Sequence, residues 1–254
     1  MDIKVVHGWA EEAGSIALHY FNAVEARLKA DRSVVTAADE EIEVLLRRRI
    51  AGAYPEHAII GEEQGGATPG AEYLWAIDPI DGTSAFVQGL PIWGISIGLL
   101  HREIPILGCF YLPLLQEWYE AGLEGPATFN GTPIHVSHDN LLDSEAWISV
   151  PSDSHRLYSI DYPGKTRSLG SMAASLCYVA RGTAAGALLG RPHIWDIAAG
   201  LAILRRAGGD VQRLSVDAPV DLQVLLAGKR LPEPFIAGSP PALAMLQARI
   251  RLHS

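Results

Sequence analysis

YLWAIDPIDGTSAF, residues 73–86, is the stretch on which the reading of this 254-residue chain turns. The run Leu74-Trp75-Ala76-Ile77 reads as a buried strand. It ends in two aspartates three residues apart, Asp78 and Asp81. Pro79, with its fixed φ, suits the second position of a tight turn. Gly82-Thr83-Ser84 then offers backbone N–H groups at the start of a short helix, where anions are favoured. Two acids and a phosphate-sized nest at one strand end fit a hard divalent cation bridging carboxylates to phosphate. Asp and Pro are also ordinary turn residues, so the decision rests on acids elsewhere in the chain.

Upstream, Val6, Ala10, Ala13, Ala17, Phe21 and Val24 recur at helical spacing, which predicts a helix from Asp2 to about Leu28. A second helix begins near Thr36, carries the apolar stripe Ile42, Leu45, Leu46 and Ile50, and ends before Pro55. Ala58-Ile59-Ile60 reads as a short strand stopping at Gly61-Glu62-Glu63, followed by a Gly-rich connection from Gln64 to Glu72. Downstream, Ile95, Ile97 and Leu99 alternate with small residues as in a strand. Ile106–Leu112 and Gln116–Ala121 continue an antiparallel meander, and Asn130-Gly131 is a hairpin signal.

The second half alternates instead: a strand over 146–150, a helix over 171–181, a strand over 184–189, a helix over 196–207 stopped by Gly208-Gly209, and a last helix from Pro240 to about Leu252. The chain is therefore expected to be α/β, with an N-terminal α+β part over residues 1–142 and a C-terminal α/β part over 143–254.

Composition narrows the function classes. Apolar residues make up 48% and charged residues 19%, as in a globular chain. A net charge of −9 argues against nonspecific nucleic-acid binding and implies that an anionic substrate comes with cations. Cys109 and Cys177 lie in apolar stretches and read as core residues, not as a disulfide or a zinc site. No apolar run approaches a bilayer span and the first residues carry no leader pattern, so a cytoplasmic protein without a membrane partner is expected. GxSxG, GxxxxGK[ST] and HExxH patterns are absent.

Three further acids stand out. Glu62 ends a short strand, where it is either a solvated loop acid or one of several carboxylates converging from neighbouring strand ends. Asp196, in Ile194-Trp195-Asp196-Ile197-Ala198-Ala199-Gly200, opens an apolar helix and reads as its N-cap, with lone pairs to spare for a metal. Thr36 and Asp39 have capping-box spacing, so Asp39 is either a helix-start residue or a hydrogen-bonding partner near the metals.

Taken together, Val35-Thr36-Ala37-Ala38-Asp39, Gly61-Glu62-Glu63, Asp78-Pro79-Ile80-Asp81-Gly82-Thr83 and Trp195-Asp196-Ile197-Ala198-Ala199-Gly200 resemble the ordered signatures of the inositol monophosphatase family. The resemblance implies a layered αβαβα sandwich, a homodimer, and lithium-sensitive, Mg²⁺-dependent hydrolysis of a phosphate monoester. Two or three ions are implied, with Mn²⁺ able to stand in. By resemblance, Glu62, Asp78 and the carbonyl of Ile80 hold a first metal, and Asp78, Asp81 and Asp196 a second. A third ion leans on Glu62. Thr83, with Asp39 behind it, orients the attacking water, and the N–H groups of Gly82 and Thr83 bind phosphate oxygens. The implied substrate is a small phosphorylated metabolite contacted by Asp81, Gly82, Thr83 and Asp196.

Substrate choice reads differently. Gly170-Ser171-Met172 looks like the family's substrate-side segment, with Met172 bulkier than the usual Ala. Inositol-hydrolysing members carry a glutamate seven residues before the WD aspartate, where this chain has Leu189. Phe86–Gly94 looks like histidinol-phosphate phosphatase relatives, and sugar bisphosphatase and nucleotide 3′-phosphatase branches share the metal motifs. Arg191 is either an exposed arginine or a contact for a second anionic group. A non-catalytic binding protein on the same fold is the reading of another class, against which the complete set of acids stands.

Overall fold

The computed structural model describes residues 1–23, 26–28, 34–66, 70–216, 218–220, 222–226, 230 and 233–253. Asp2 caps helix α1 (Ile3–Tyr20), its carboxylate accepting the Lys4 N–H at 3.0 Å. Val6, Ala10, Ala13 and Ala17 form the buried face of α1. The helix stops at Tyr20, eight residues short of the Leu28 expected from periodicity. Asn22 takes a left-handed φ of 63°, a conformation that ends helices. Val24 and Glu25 lie outside the described residues. Arg27–Leu28 (β1) instead pairs antiparallel with Val34–Val35 (β2). Helix α2 (Ala37–Ala53) follows, burying Ile42, Leu45, Leu46 and Ile50 as its stripe predicts.

The next strands form a seven-stranded sheet in sequence order: β3 (Ala58–Gly61), β4 (Tyr73–Asp81), β5 (Gly94–His101), β6 (Ile104–Leu112), β7 (Glu117–Ala121), β8 (Thr128–Phe129) and β9 (Thr132–Pro133). Only β3 and β4 run parallel. Helix α3 (Thr83–Val87) lies between β4 and β5. Asn130 and Gly131 both have positive φ, 47° and 75°, which suits the tight hairpin turn joining β8 to β9.

The remaining elements are β10 (Trp147–Ser149), α4 (Ser154–Leu157), β11 (Tyr158–Ile160), β12 (Lys165–Arg167), α5 (Met172–Ala180), β13 (Gly186–Leu189), α6 (Ile194–Arg206), β14 (Asp210–Arg213), α7 (Gln223–Leu226), β15 (Phe235–Gly238), α8 (Pro240–Arg249) and β16 (Ile250–Leu252). Five of these strands make a mixed sheet, ordered β12-β10-β13-β15-β14. The helix expected to reach Leu252 ends at Arg249, because Ile250–Leu252 turns extended and pairs antiparallel with β11.

Strand alternation assigns the layers. Ile95, Ile97 and Leu99 of β5 join Trp75, Ile77 and the buried faces of α1 and α2 in one apolar cluster. The opposite face of that sheet packs on α5 and α6; on the far side α5 meets β13 and β15, and α6 meets β14. Ala242 and Leu246 of α8 cover the outer face of the five-stranded sheet with Ile148, Leu188 and Ile236. The order of layers is αβαβα. Cys109 and Cys177 are buried and unpaired. No described helix is long and apolar enough to cross a membrane.

Two glycines set the depth of α6. Gly98 and Gly108 face each other across β5 and β6. A Cβ on Gly98 would lie 2.6 Å from Ala198 Cβ and 2.7 Å from Ala199 N, and one on Gly108 would strike the Ala199 carbonyl. Both distances are impossible without movement, so the helix rests on bare backbone. On the other side of α6, a Cβ on Gly200 would lie 2.7 Å from Leu176 Cδ1 of α5. The small residues Ala198-Ala199-Gly200 thus let a helix wedge between the sheet and α5, which fixes its first turn.

Candidate active site

Strand β4 does not end in a turn at Pro79. It continues to Asp81, with Asp78 opposite Ser96 and Asp81 opposite Gly94. One extra residue on β4 makes a bulge, which accommodates a proline that cannot donate to the ladder and re-aims the flanking side chains. The Ile80 N–H turns back onto Asp78 Oδ1 at 3.1 Å. Asp78 and Asp81 are thereby buried, 2% and 5% exposed, at one end of the sheet.

Glu62 arrives from the end of β3, which pairs with β4 so that Gly61 faces Ile77. Asp196 arrives from the first turn of α6. His193, not Asp196, is the N-cap there; Asp196 stands three residues on and accepts the His193 N–H at 2.7 Å. The reciprocal capping geometry leaves one face of the Asp196 carboxylate toward the sheet. Carboxylate oxygens of Glu62, Asp78 and Asp196 all lie within 4.8 Å of one another.

Asp81 stands beside this trio rather than in it. Its carboxylate accepts the Ser171 hydroxyl and the N–H groups of Ala173 at 2.8 Å and Met172 at 3.3 Å, at the N-terminus of α5. Gly82 has φ 95°, and a Cβ there would sit 3.1 Å from Ile92 O and 3.4 Å from Gly170 O. A side chain would thus be strained in its backbone and crowded by the Gly170–Ser171 turn. The Thr83 hydroxyl lies 3.0 Å from the Ile80 carbonyl and 3.4 Å from Asp39 Oδ1. Asp39 is 1% exposed, and its other oxygen accepts the Thr36 N–H at 2.8 Å and the Thr36 hydroxyl at 2.6 Å. The expected capping box is therefore present, and it presents Asp39 to Thr83. Gly170, Ser171, Met172 and Leu189 line one cavity next to this cluster.

The electrostatics follow from crowding. Burial, then Glu62, Asp81, Asp196 and Asp39, push Asp78 well above the usual carboxylate range. Burial and Asp81 raise Asp196 to about 8, against the weaker pull of the His193 N–H. Burial raises Asp81 to about 6, opposed by its bonds from Ser171 and the α5 amides. Hard oxygen donors that repel one another in a buried site suit Mg²⁺, and the donor set fits that ion.

The sign of this crowding is testable. Folding raises these carboxyl pKa values, so the folded, metal-free chain binds protons more tightly than the unfolded one. The stabilising contribution is complete below the unfolded value of 3.8 and is lost as pH rises through about 6 for Asp81 and about 8 for Asp196. In EDTA the melting temperature should fall as pH rises across that window, and Asp196→Asn should flatten the fall. A melting temperature that rises with pH there contradicts the crowded cluster.

Glu43 is a supporting residue that sequence reasoning missed. It is fully buried on α2, and its carboxylate accepts the N–H groups of Glu63 at 2.7 Å and Gln64 at 3.0 Å. Arg47, one turn on, donates to Glu43 at 2.8 Å and to the Gly65 carbonyl. A Cβ on Gly61 would lie 2.5 Å from Glu43 Oε1, so the strand end is held directly against this carboxylate. The available signal was the spacing Asp39, Glu43, Arg47, which puts three charges on one helical face. Glu43→Ala should weaken Mg²⁺ affinity about 10- to 100-fold, as loss of a supporting carboxylate does at metal sites. A Mg²⁺ titration of activity and of melting temperature checks this; unchanged half-saturation would contradict it.

A profile described as the inositol monophosphatase family matches residues 2–238. The chain is 35% identical over 218 residues to a fructose-1,6-bisphosphatase/inositol-1-monophosphatase of Aquifex aeolicus, covering 82% of each sequence. It is 32% identical over 218 residues to a histidinol-phosphatase of Chlorobaculum parvum, covering 82% of this chain and 84% of that one. An IMPase of Thermotoga maritima superposes with a TM-score of 0.84 at 28% identity, covering 97% of this chain and 95% of the other.

Proposed function

The chain belongs to the inositol monophosphatase family, whose members hydrolyse phosphate monoesters with Mg²⁺, and from that premise we propose that it cleaves a small polyol or sugar phosphate at the Asp78 cluster. The observation that carries the proposal is the meeting of Glu62, Asp78 and Asp196, from a strand end, a bulge and a helix start, beside the Thr83–Asp39 pair. Glu62, Asp78 and Asp196 would hold Mg²⁺, with Asp81 and the Ile80 carbonyl adjoining; two or three ions, or Mn²⁺ in their place, are in keeping with this donor set. When bound, such ions lower the pKa of water and neutralise the attacking and leaving oxygens.

The protein's own groups supply position. Asp39, immobilised by Thr36, aligns the Thr83 hydroxyl, whose oxygen then accepts a proton from the attacking water. As that proton arrives at Thr83 Oγ1, the hydroxyl's own proton moves toward Asp39 Oδ1. Backbone N–H groups at Gly82 and Thr83 lie at the start of α3, where they meet phosphate oxygens. Asp81 is occupied by the α5 N-terminus and so fixes the substrate side of the site to the metal side. Phosphoryl transfer asks little covalent work of a protein, so alignment of this kind is its main contribution.

The test is phosphate release from a panel of monoesters with Mg²⁺ and with EDTA. Release should require the metal, and Thr83→Val should lower kcat about 100-fold or more, the range for a group handling a proton in the transition state. Metal-independent release, or a fully active Thr83→Val, would overturn the assignment.

A further inference from the structure

The cavity beside the cluster has a volume of about 410 Å³, enough for a sugar phosphate. It opens along Gly170, Ser171 and Met172, the segment tied to Asp81, and its inner wall includes Leu188 and Leu189. The side chains of those leucines offer no polar atom to a ring hydroxyl. Its charged lining is Arg191, Arg230 and Asp153, an excess of positive charge in a chain of net −9. Among the described residues no carboxylate comes within 4.0 Å of either guanidinium, the Asp196 carboxylate feeling Arg230 from further off. Arg230 instead donates through Nε to His193 Nε2 at 2.9 Å, a ring stacked on Trp195 with centroids 4.4 Å apart. That bond holds it beside the first turn of α6, where its charge also favours ionised Asp196.

We propose that Arg191 and Arg230 form a subsite for a second anionic group, so that the preferred substrate is a phosphate monoester carrying a further phosphate or carboxylate. The inference rests on the phosphatase reading above. Three kinds of remote end make the choice sharp. A neutral polyol needs alternating donors and acceptors, and an ammonium or imidazolium needs an excess of carboxylate. An anion needs guanidinium donors, which bind phosphate in a planar, often two-pronged geometry. Two arginines against one aspartate over an apolar floor match the last and work against the second.

The experiment compares kcat/KM for fructose 1,6-bisphosphate, inositol 1-phosphate and histidinol phosphate, anionic, neutral and cationic at the remote end. It uses the full chain with Mg²⁺, as the natural sequence and as the Arg191→Gln/Arg230→Gln double variant. The bisphosphate should be favoured at least tenfold over the other two, and the double variant should reduce that ratio at least tenfold. Preference for the neutral or cationic ester, or a ratio unmoved by the double variant, overturns the proposal. Failure to hydrolyse any of the three overturns the phosphatase reading instead. Calorimetric binding of the bisphosphate then decides the subsite: binding lost in the double variant upholds it, and binding absent or unaffected refutes it.

Discussion

Asp78→Asn should lower Mg²⁺-dependent phosphate release about a thousandfold while raising the melting temperature of the metal-free chain near pH 8. The first effect follows from the position of Asp78 as the buried member of the acidic trio, its carboxylate within 4.8 Å of those of Glu62 and Asp196. Metal ions supply several kcal/mol of transition-state stabilisation, and each ~1.4 kcal/mol is tenfold in rate. The second effect follows from repulsion. Asp78 is buried and faces four other acids that oppose its ionisation. Asparagine keeps the shape and the acceptor for the Ile80 N–H but removes the charge. The same variant should lose most of the rise in melting temperature that Mg²⁺ gives the natural chain, since that rise reports metal bound to the folded state. An Asp78→Asn protein that is both active and no more stable would mean that the carboxylates do not converge.

Gly108→Val is the second large effect, and it acts without touching the site. Its Cβ would collide with the Ala199 carbonyl, a backbone atom that cannot swing aside. Overpacking of this kind costs about 3 kcal/mol, roughly 6–12 °C in melting temperature for a chain of this size. The displaced body is α6, whose first turn carries Asp196. Since a shift of about 1 Å can cost about a hundredfold in rate, activity should fall by that order even at temperatures where the variant is folded. Gly52→Ala is the control. A Cβ there meets nothing within 4 Å, on an exposed position of α2, and the change should be neutral or slightly stabilising. Equal activity in the two variants would show that α6 does not depend on the Gly98–Gly108 contact.

The geometry of the candidate site was legible where its residues are close in sequence. Asp78, Asp81 and Gly82 sit within five residues, and the Thr36–Asp39 spacing announces its own capping box. The strands flanking the cluster were legible from alternation. Pro79 was misread because turns and bulges share the same residues: a proline after an aspartate is compatible with either, and only pairing to Ser96 and Gly94 decides. Asp196 was misread as the cap because histidine is a weak capping signal, so His193 was passed over. Glu43 was marked only by its spacing from Asp39 and Arg47, which does not tell a buried face from a solvated one. A charged helical face normally points to solvent, and nothing in α2 reveals that the Glu63 and Gln64 amides arrive to receive it. The C-terminal strand β16 depends on β11, about ninety residues earlier, and has no local signature.

Asp39 and Glu43 lie four residues apart on one face of α2, about 6 Å along the helix axis. The first aligns the hydroxyl of Thr83, and the second pins the segment that carries Glu62. In the mechanism proposed above, proton handling and metal retention therefore hang from a single rigid rod. Any ligand, substitution or temperature change that slides this rod moves both at once, and neither can drift while the other holds register. The two properties should accordingly be lost together along one coordinate, so that a partly displaced α2 yields an enzyme switched off as a whole rather than one slow with tight metal or fast with loose metal.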